Sequence, residues 1–163
     1  MATVPIITSL DRVSPAVPDR YLAAAVAEAE QGLREGGIPI GSVIVYRGEI
    51  IGRGHNRRVQ RGSVVLHGEM DALENAGRRA AATYRDATLY TTLSPCAMCS
   101  GAILLYGIPR VVIGENQTFL GEEELLRSRR VSVEVRQDPA CIHLMTEFIR
   151  AQIGRASCRE RVS

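Results

Sequence analysis

The sequence predicts an α/β fold, a three-layer α/β/α sandwich around a mixed, mostly parallel five-stranded sheet. Three observations predict it. The 163 residues suffice for one compact domain with a real core and are too few for two ordinary ones. Two early β-rich runs are separated by a tight glycine-containing turn, which reads as a hairpin. After it, helix-like and strand-like segments alternate, giving the order α-β-β-α-β-α-β-α-β-α, and that alternation implies crossovers onto parallel strands.

Residues 1–18 hold three prolines and no clear period, so they read as a loose arm. Asp19 is placed to cap a helix over residues 20–34, with Leu22, Val26, Ala29 and Leu33 along one face and Gly36-Gly37 ending it. Residues 40–46 read as a buried strand, Arg47-Gly48-Glu49 as a turn, and residues 50–54 as the hairpin partner. A polar loop over 55–66 leads to a short helix over 67–76, stopped by Gly77. Residues 88–93 are rich in β-branched and aromatic types and read as a strand. Ser94-Pro95 then reads as an N-cap with proline at the first helical position, opening a helix over 96–106 that Gly107 and Pro109 break. A strand over 110–113, a short acidic helix over 122–127 and a strand over 131–135 follow. Asp138-Pro139 opens a last helix with Ile142, Met145 and Ile149 on one side. The single domain is expected to span 19–152. Residues 153–163 form a tail whose last nine residues look like translated adaptor or vector sequence.

Composition narrows the function classes. Apolar residues make up 45% of the chain, yet no apolar run approaches the ~20 residues of a membrane span. No charged stretch followed by an apolar core marks a secretory signal, so a cytoplasmic location is expected. All twenty basic residues are arginine, and the formal charge is +2. Three arginines and one glutamate lie in 155–163, so the excess sits in the tail and the rest is neutral. A neutral body argues against a protein that lives on nucleic-acid backbones. Of the four cysteines, only Cys96 and Cys99 form a close pair, which favours metal binding or catalysis over a disulfide framework.

The residues that carry chemistry are His67-Gly68-Glu69 and Pro95-Cys96-Ala97-Met98-Cys99. Three apart in the first turn of a helix, the two cysteine sulfurs share one face. The positive end of the helix favours their thiolates. Two thiolates and the imidazole of His67 make a three-ligand zinc site with its fourth tetrahedral position left to water, as catalytic sites require. Glu69 is close enough to reach that water without ligating the metal, and a nearby carboxylate can take and relay its proton. Positions two apart in a regular helix diverge by about 200°, so His67 and Glu69 converge only if His67 stands at the helix entry with non-helical torsions. H-x-E followed by P-C-x-x-C is the signature of zinc deaminases that act on nucleobases.

The resemblance extends beyond that signature. Gly54-His55-Asn56, Leu66-His67-Gly68-Glu69, the run from Leu89 to Cys96, and Gly114-Glu115-Asn116 closely resemble the fungal-type cytosine deaminases of the cytidine deaminase-like superfamily, over residues 20–150. The resemblance implies a homodimer with a five-stranded sheet and one zinc ion per subunit, acting on a free nucleobase in pyrimidine salvage. It implies zinc ligation by His67, Cys96 and Cys99, and proton shuttling by Glu69. It further implies that Asn56 hydrogen-bonds the base with the backbone around Gly68 and Ser94, while Leu93 and Phe119 form apolar walls. The same family leads one to expect a C-terminal lid with a tryptophan and an aspartate; this chain has no tryptophan and no aspartate after Asp138.

Other readings stand beside these. Within the same chemistry the substrate could be isocytosine, guanine or a tRNA adenosine. The site could instead be a closed, non-catalytic zinc module with Cys141, His55 or His143 as fourth ligand. Asn56 could simply hold its turn, and Phe119 could be core. Arginines 57, 58 and 61 read as a solvated loop or a subunit contact rather than an RNA contact.

Overall fold

The computed structural model describes residues 19–159; the arm expected at 1–18 and the last four residues lie outside them. Seven helices and five strands are described: α1 (Arg20–Arg34), β1 (Gly41–Tyr46), β2 (Glu49–His55), α2 (Arg58–Arg61), α3 (Gly68–Ala76), α4 (Ala81–Arg85), β3 (Ala87–Leu93), α5 (Ala97–Tyr106), β4 (Arg110–Glu115), α6 (Glu123–Ser128), β5 (Ser132–Val135) and α7 (Pro139–Arg159).

The sheet order is β2-β1-β3-β4-β5. β1 pairs antiparallel with both β2 and β3, whereas β3–β4 and β4–β5 are parallel. The sheet is therefore mixed in equal parts rather than mostly parallel, because the hairpin is attached to the rest through its first strand. That attachment makes β2 and β3 run in the same direction.

Helices cover both faces. Leu22 and Ala25 of α1 and Cys141 of α7 pack with Val43, Val45, Tyr90 and Val112 on one side. Ala72, Leu73 and Ala76 of α3, Ala102 and Ile103 of α5 and Leu126 of α6 pack with Ile44, Leu89, Val111 and Ile113 on the other. Neighbouring strand residues divide between the two clusters, as the two-residue pleat requires.

Several local expectations shift. The buried stripe of α1 is Leu22, Ala25, Ala29 and Gly32, while Leu33 is 40% exposed. Small residues win there because the helix lies close on the sheet: a Cβ on Gly41 would come 2.1 Å from the carbonyl oxygen of Ala25. The hairpin turn has only Arg47 and Gly48 at its centre, both with positive φ (49° and 82°), which suits the right-handed twist of the strands it joins. The loop after β2 contains the single turn α2, and α4 is a further short helix not expected from the sequence; Tyr84 anchors α4 through a 2.6 Å bond from its hydroxyl to the carbonyl of Gly77. Among the α7 residues whose burial is described, Cys141 and Met145 are buried, with Ile149 37% exposed. The helix continues past residue 152, where the domain was expected to end, as far as Arg159.

Most consequential is the start of α5. Ser94 was expected to cap it, but the cap is Cys96, whose backbone is extended (φ −71°, ψ 175°). Ser94 is committed elsewhere. Its N–H donates to the Glu115 carbonyl, its hydroxyl donates to Glu123 Oε1, and the hydroxyl oxygen accepts from the N–H of Gly121.

Candidate active site

Because β2 and β3 run the same way and each leads to a helix on the same face, α3 and α5 start at the same edge of the sheet, at the carboxyl ends of those strands. Ligand sites of open α/β sheets form at such edges. The close approach of α3 depends on glycine: a Cβ on Gly54 would lie 2.2 Å from the backbone nitrogen of Ala72. At the helix entry, a Cβ on Gly68 would lie 3.0 Å from the Ile40 carbonyl oxygen, so the first turn of α3 rests against the start of β1.

His67 is the N-cap of α3, with an extended backbone (φ −71°, ψ 165°). Its Nδ1 lies 3.5 Å from Cys96 Sγ and 3.7 Å from Cys99 Sγ. The three donor atoms all fall within 4.8 Å of one another. A zinc ion with Zn–N about 2.05 Å and Zn–S about 2.3 Å at tetrahedral angles separates nitrogen from sulfur by about 3.6 Å, so the spacing and the donor set both fit that metal.

Burial shifts the protonation of His67 and Cys99. His67 is pushed down from its ordinary value by burial and then by the Arg58 guanidinium, which favours the neutral imidazole that binds metals. Burial pushes the Cys99 thiol far up, reinforced by Glu69 and Cys96. At Cys99 this outweighs the helix-end effect expected from the sequence; a divalent cation among the three donors is what makes the thiolate tenable.

Glu69 is buried beside the cluster. Its Oε2 lies 3.4 Å from Cys99 Sγ, and its Oε1 accepts from the Thr91 hydroxyl at 3.1 Å. Burial raises its carboxyl above the usual range, partly offset by those contacts. A carboxyl shifted upward this way holds a proton more readily than an exposed one, as a group that accepts and returns protons requires.

The remaining expected residues fall at or near this edge. Asn56 is buried just after β2; its N–H donates to the Ile40 carbonyl, and its Oδ1 accepts from the N–H of Arg58 at 3.1 Å, while Nδ2 donates to no described residue. Gly68, Leu93 and Ser94 are buried at the helix entry and the strand end. Phe119 is 45% exposed on the loop between β4 and α6, which the Gly121–Ser94 bond ties to the end of β3. Three residues considered as a fourth ligand lie apart. Cys141 is in the α1/α7 cluster, His143 is exposed, and His55 is engaged on both ring nitrogens by Glu28 (3.1 Å) and Glu35 (2.9 Å). Arg57 pairs with Asp71 at 3.1 Å.

Sequence reasoning assigned no individual role to Thr91 or Glu123, and Glu115 entered it only within the Gly114-Glu115-Asn116 run. Glu115 is fully buried and accepts from the N–H groups of Gln117 and Thr118 and from the Thr118 hydroxyl. Glu123 accepts from Ser94 and Asn116 and pairs with Arg127. A polar residue on the helix-facing side of a central strand, as at Thr91, was the available signal.

Residues 16–115 match the cytidine and deoxycytidylate deaminase zinc-binding region. The chain belongs to that family. It is 55% identical over 130 residues to a cytosine deaminase of Candida albicans, covering 79% of this chain and 87% of that protein. It is 42% identical over 141 residues to a tRNA-specific adenosine deaminase of Streptococcus pyogenes, covering 80% and 88%. Among solved structures, a tRNA:A34 deaminase superposes with a TM-score of 0.65 at 25% identity, covering 77% of this chain and 98% of that one. A guanine deaminase from Nitrosomonas europaea shares the fold, with a TM-score of 0.63 at 23% identity over 82% of this chain and 85% of that one. The family binds zinc, and the His/Cys/Cys cluster is consistent with that metal.

Proposed function

We propose that this deaminase converts free cytosine to uracil and ammonia, with His67, Cys96 and Cys99 holding zinc and Glu69 carrying protons. The observation that carries the reading is a buried carboxylate set directly against a three-donor metal cluster, on a chain 55% identical to a fungal cytosine deaminase.

Zinc at the cluster supplies a Lewis acid that makes water nucleophilic near neutral pH. The protein's own groups do the rest. Glu69 takes a proton from the water that attacks C4 of the pyrimidine and hands it to N3. It then takes the remaining proton from the new C4 hydroxyl and passes it to the exocyclic amine, so that the C4 carbonyl forms, the C4–N bond breaks and ammonia leaves. Asn56 orients the base through its free Nδ2, with backbone groups around Gly68 and Ser94, and Leu93 and Phe119 exclude water at the sides.

The chain works as a single domain, in the cytoplasm and in pyrimidine salvage. Two thiol ligands suit a reducing compartment. Among the described residues no helix is long and apolar enough to cross a membrane. It acts as a homodimer. Leu105 (79% exposed) and Tyr106 border a groove of about 580 Å³ between α3, α4 and α5 that Met70 and Leu73 also line together with Glu74, Arg78, Arg79 and Arg85, a mixed apolar and charged surface open to a second copy. Sedimentation velocity gives the oligomeric state.

The test of the reaction is ammonia and uracil release from cytosine by purified protein, with and without a chelator. Isocytosine, guanine and tRNA are assayed in parallel. Inosine formation in tRNA without uracil formation from cytosine would transfer the assignment to the adenosine-specific relatives.

A further inference from the structure

Thr91 lies at the centre of the sheet, paired with Ser42 of β1 on one side and Ile113 of β4 on the other. Its neighbour two residues back, Leu89, packs in the cluster under α3 and α5, while Tyr90 packs under α1 and α7. Thr91 therefore presents its hydroxyl to the layer that holds the metal cluster. The residue is fully buried and β-branched, so its side chain is confined at χ1.

The single proton of that hydroxyl has two acceptors within reach, Glu69 Oε1 at 3.1 Å and the Leu93 carbonyl at 3.2 Å, the carboxylate being the nearer and the stronger acceptor. The carboxylate it meets points its other oxygen, Oε2, at Cys99 Sγ, 3.4 Å away. The final torsion of a glutamate is intrinsically broad, so chain connectivity alone does not decide which oxygen faces the cluster. Among the described residues, Thr91 is the side chain that donates a hydroxyl to that carboxylate. We infer that Thr91 is a positioning residue for Glu69. By holding Oε1 against the middle of β3, its hydroxyl aims Oε2 at the place where protons are exchanged.

The inference rests on Glu69 being the proton carrier of the proposed reaction. Proton transfer requires heavy atoms within roughly 2.6–3.2 Å, and a displacement of about 1 Å can cost on the order of 100-fold in rate. A loosened Glu69 should thus slow the chemical step while metal and substrate still bind.

The experiment compares the parent with Thr91→Val, which keeps shape and loses the hydroxyl, and Thr91→Ser, which keeps the hydroxyl. Kinetics use whichever amino-heterocycle the parent deaminates. Expected for Thr91→Val are parent zinc content, KM within about threefold and kcat lower by about 10- to 100-fold, with Thr91→Ser recovering most of the loss. Infrared spectroscopy reads the carboxylate without turnover. The Glu69 band, assigned by its absence in Glu69→Gln, should show a hydroxyl hydrogen bond in the parent and in Thr91→Ser and lose it in Thr91→Val. Unchanged kcat in Thr91→Val, loss of zinc, or a KM increase matching the fall in kcat would each overturn the inference. A Glu69 band free of a hydroxyl bond in the parent would overturn it even if Thr91→Val does not fold. A parent inactive on cytosine but active on another base would remove the substrate assignment and leave this inference intact.

Discussion

His67 and Cys96 occupy the same point of two different helices. Each is an N-cap with φ of −71°, their ψ angles are 165° and 175°, and the His67 Nδ1 lies 3.5 Å from the Cys96 sulfur. Neither side chain caps its own helix. Both give up that role and turn instead toward the gap between the helices, where the positive ends of α3 and α5 face a common point. Each helix entry thus contributes one extended residue and one residue of its first turn: His67 with Glu69, and Cys96 with Cys99.

Zinc should be present at one ion per chain and depend on all three donors. Metal analysis of Cys96→Ala or His67→Ala should show almost no zinc, and full occupancy in either would refute the ligand set. Because the metal binds the folded site, removing it from the parent with a chelator should lower the melting temperature.

Glu69→Gln should retain zinc and fold while losing nearly all deamination. General acid–base help is worth about 10²–10⁴-fold, and here one carboxylate serves successive transfers, so the loss should reach at least the upper part of that range. Activity within threefold of the parent would place the proton carrier elsewhere.

Asn56 Oδ1 holds the turn through the N–H of Arg58, and the proposed reaction gives Nδ2 the base as its partner. Asn56→Asp keeps the acceptor and removes the donor, so it should cost about 1–3 kcal/mol of transition-state stabilisation, read from the ratio of kcat/KM values, while the turn persists. Asn56→Ala should lose both activity and thermal stability. If only stability falls in the two variants, the asparagine serves the turn alone.

The sequence made the elements and the metal motif legible because their signals are local. Asp19 accepts from the N–H groups of Tyr21 and Leu22 as a cap should, and the H-x-E and P-C-x-x-C spacings name their own chemistry. What stayed hidden depends on tertiary pairing. Ser94 reads as a cap until its hydroxyl is seen bonded to Glu123 and Gly121, residues 29 and 27 positions away. Thr91 reads as an ordinary strand threonine until Glu69, from another element, is brought against it. The balance of parallel and antiparallel pairing likewise depends on which hairpin strand meets β3, which hydrophobic pattern alone does not decide.

Glu35 offers a test of stability against pH at a point away from the cluster. It is the C-cap residue of α1, an unfavourable place for a negative charge beside the helix dipole, yet its carboxyl is held down to about 2. The leading cause is a hydrogen bond from Gln31 at 2.9 Å, followed by the His55 ring at 2.9 Å, with Gln60 adding a weaker contact. His55 also meets Glu28, so these carboxylates join α1 to the end of β2 through one buried ring. A carboxyl with a depressed folded value favours folding while it is ionised in both states. As pH falls below about 4.5 the unfolded chain takes up the proton first, so stability declines until the folded group is also protonated near 2. Glu35→Gln removes this dependence. The melting temperature of the parent should exceed that of Glu35→Gln by a constant margin above pH 5, and the margin should shrink steadily as pH is lowered toward 2.5. A margin that stays constant or widens on acidification would show that Glu35 is not held by these partners.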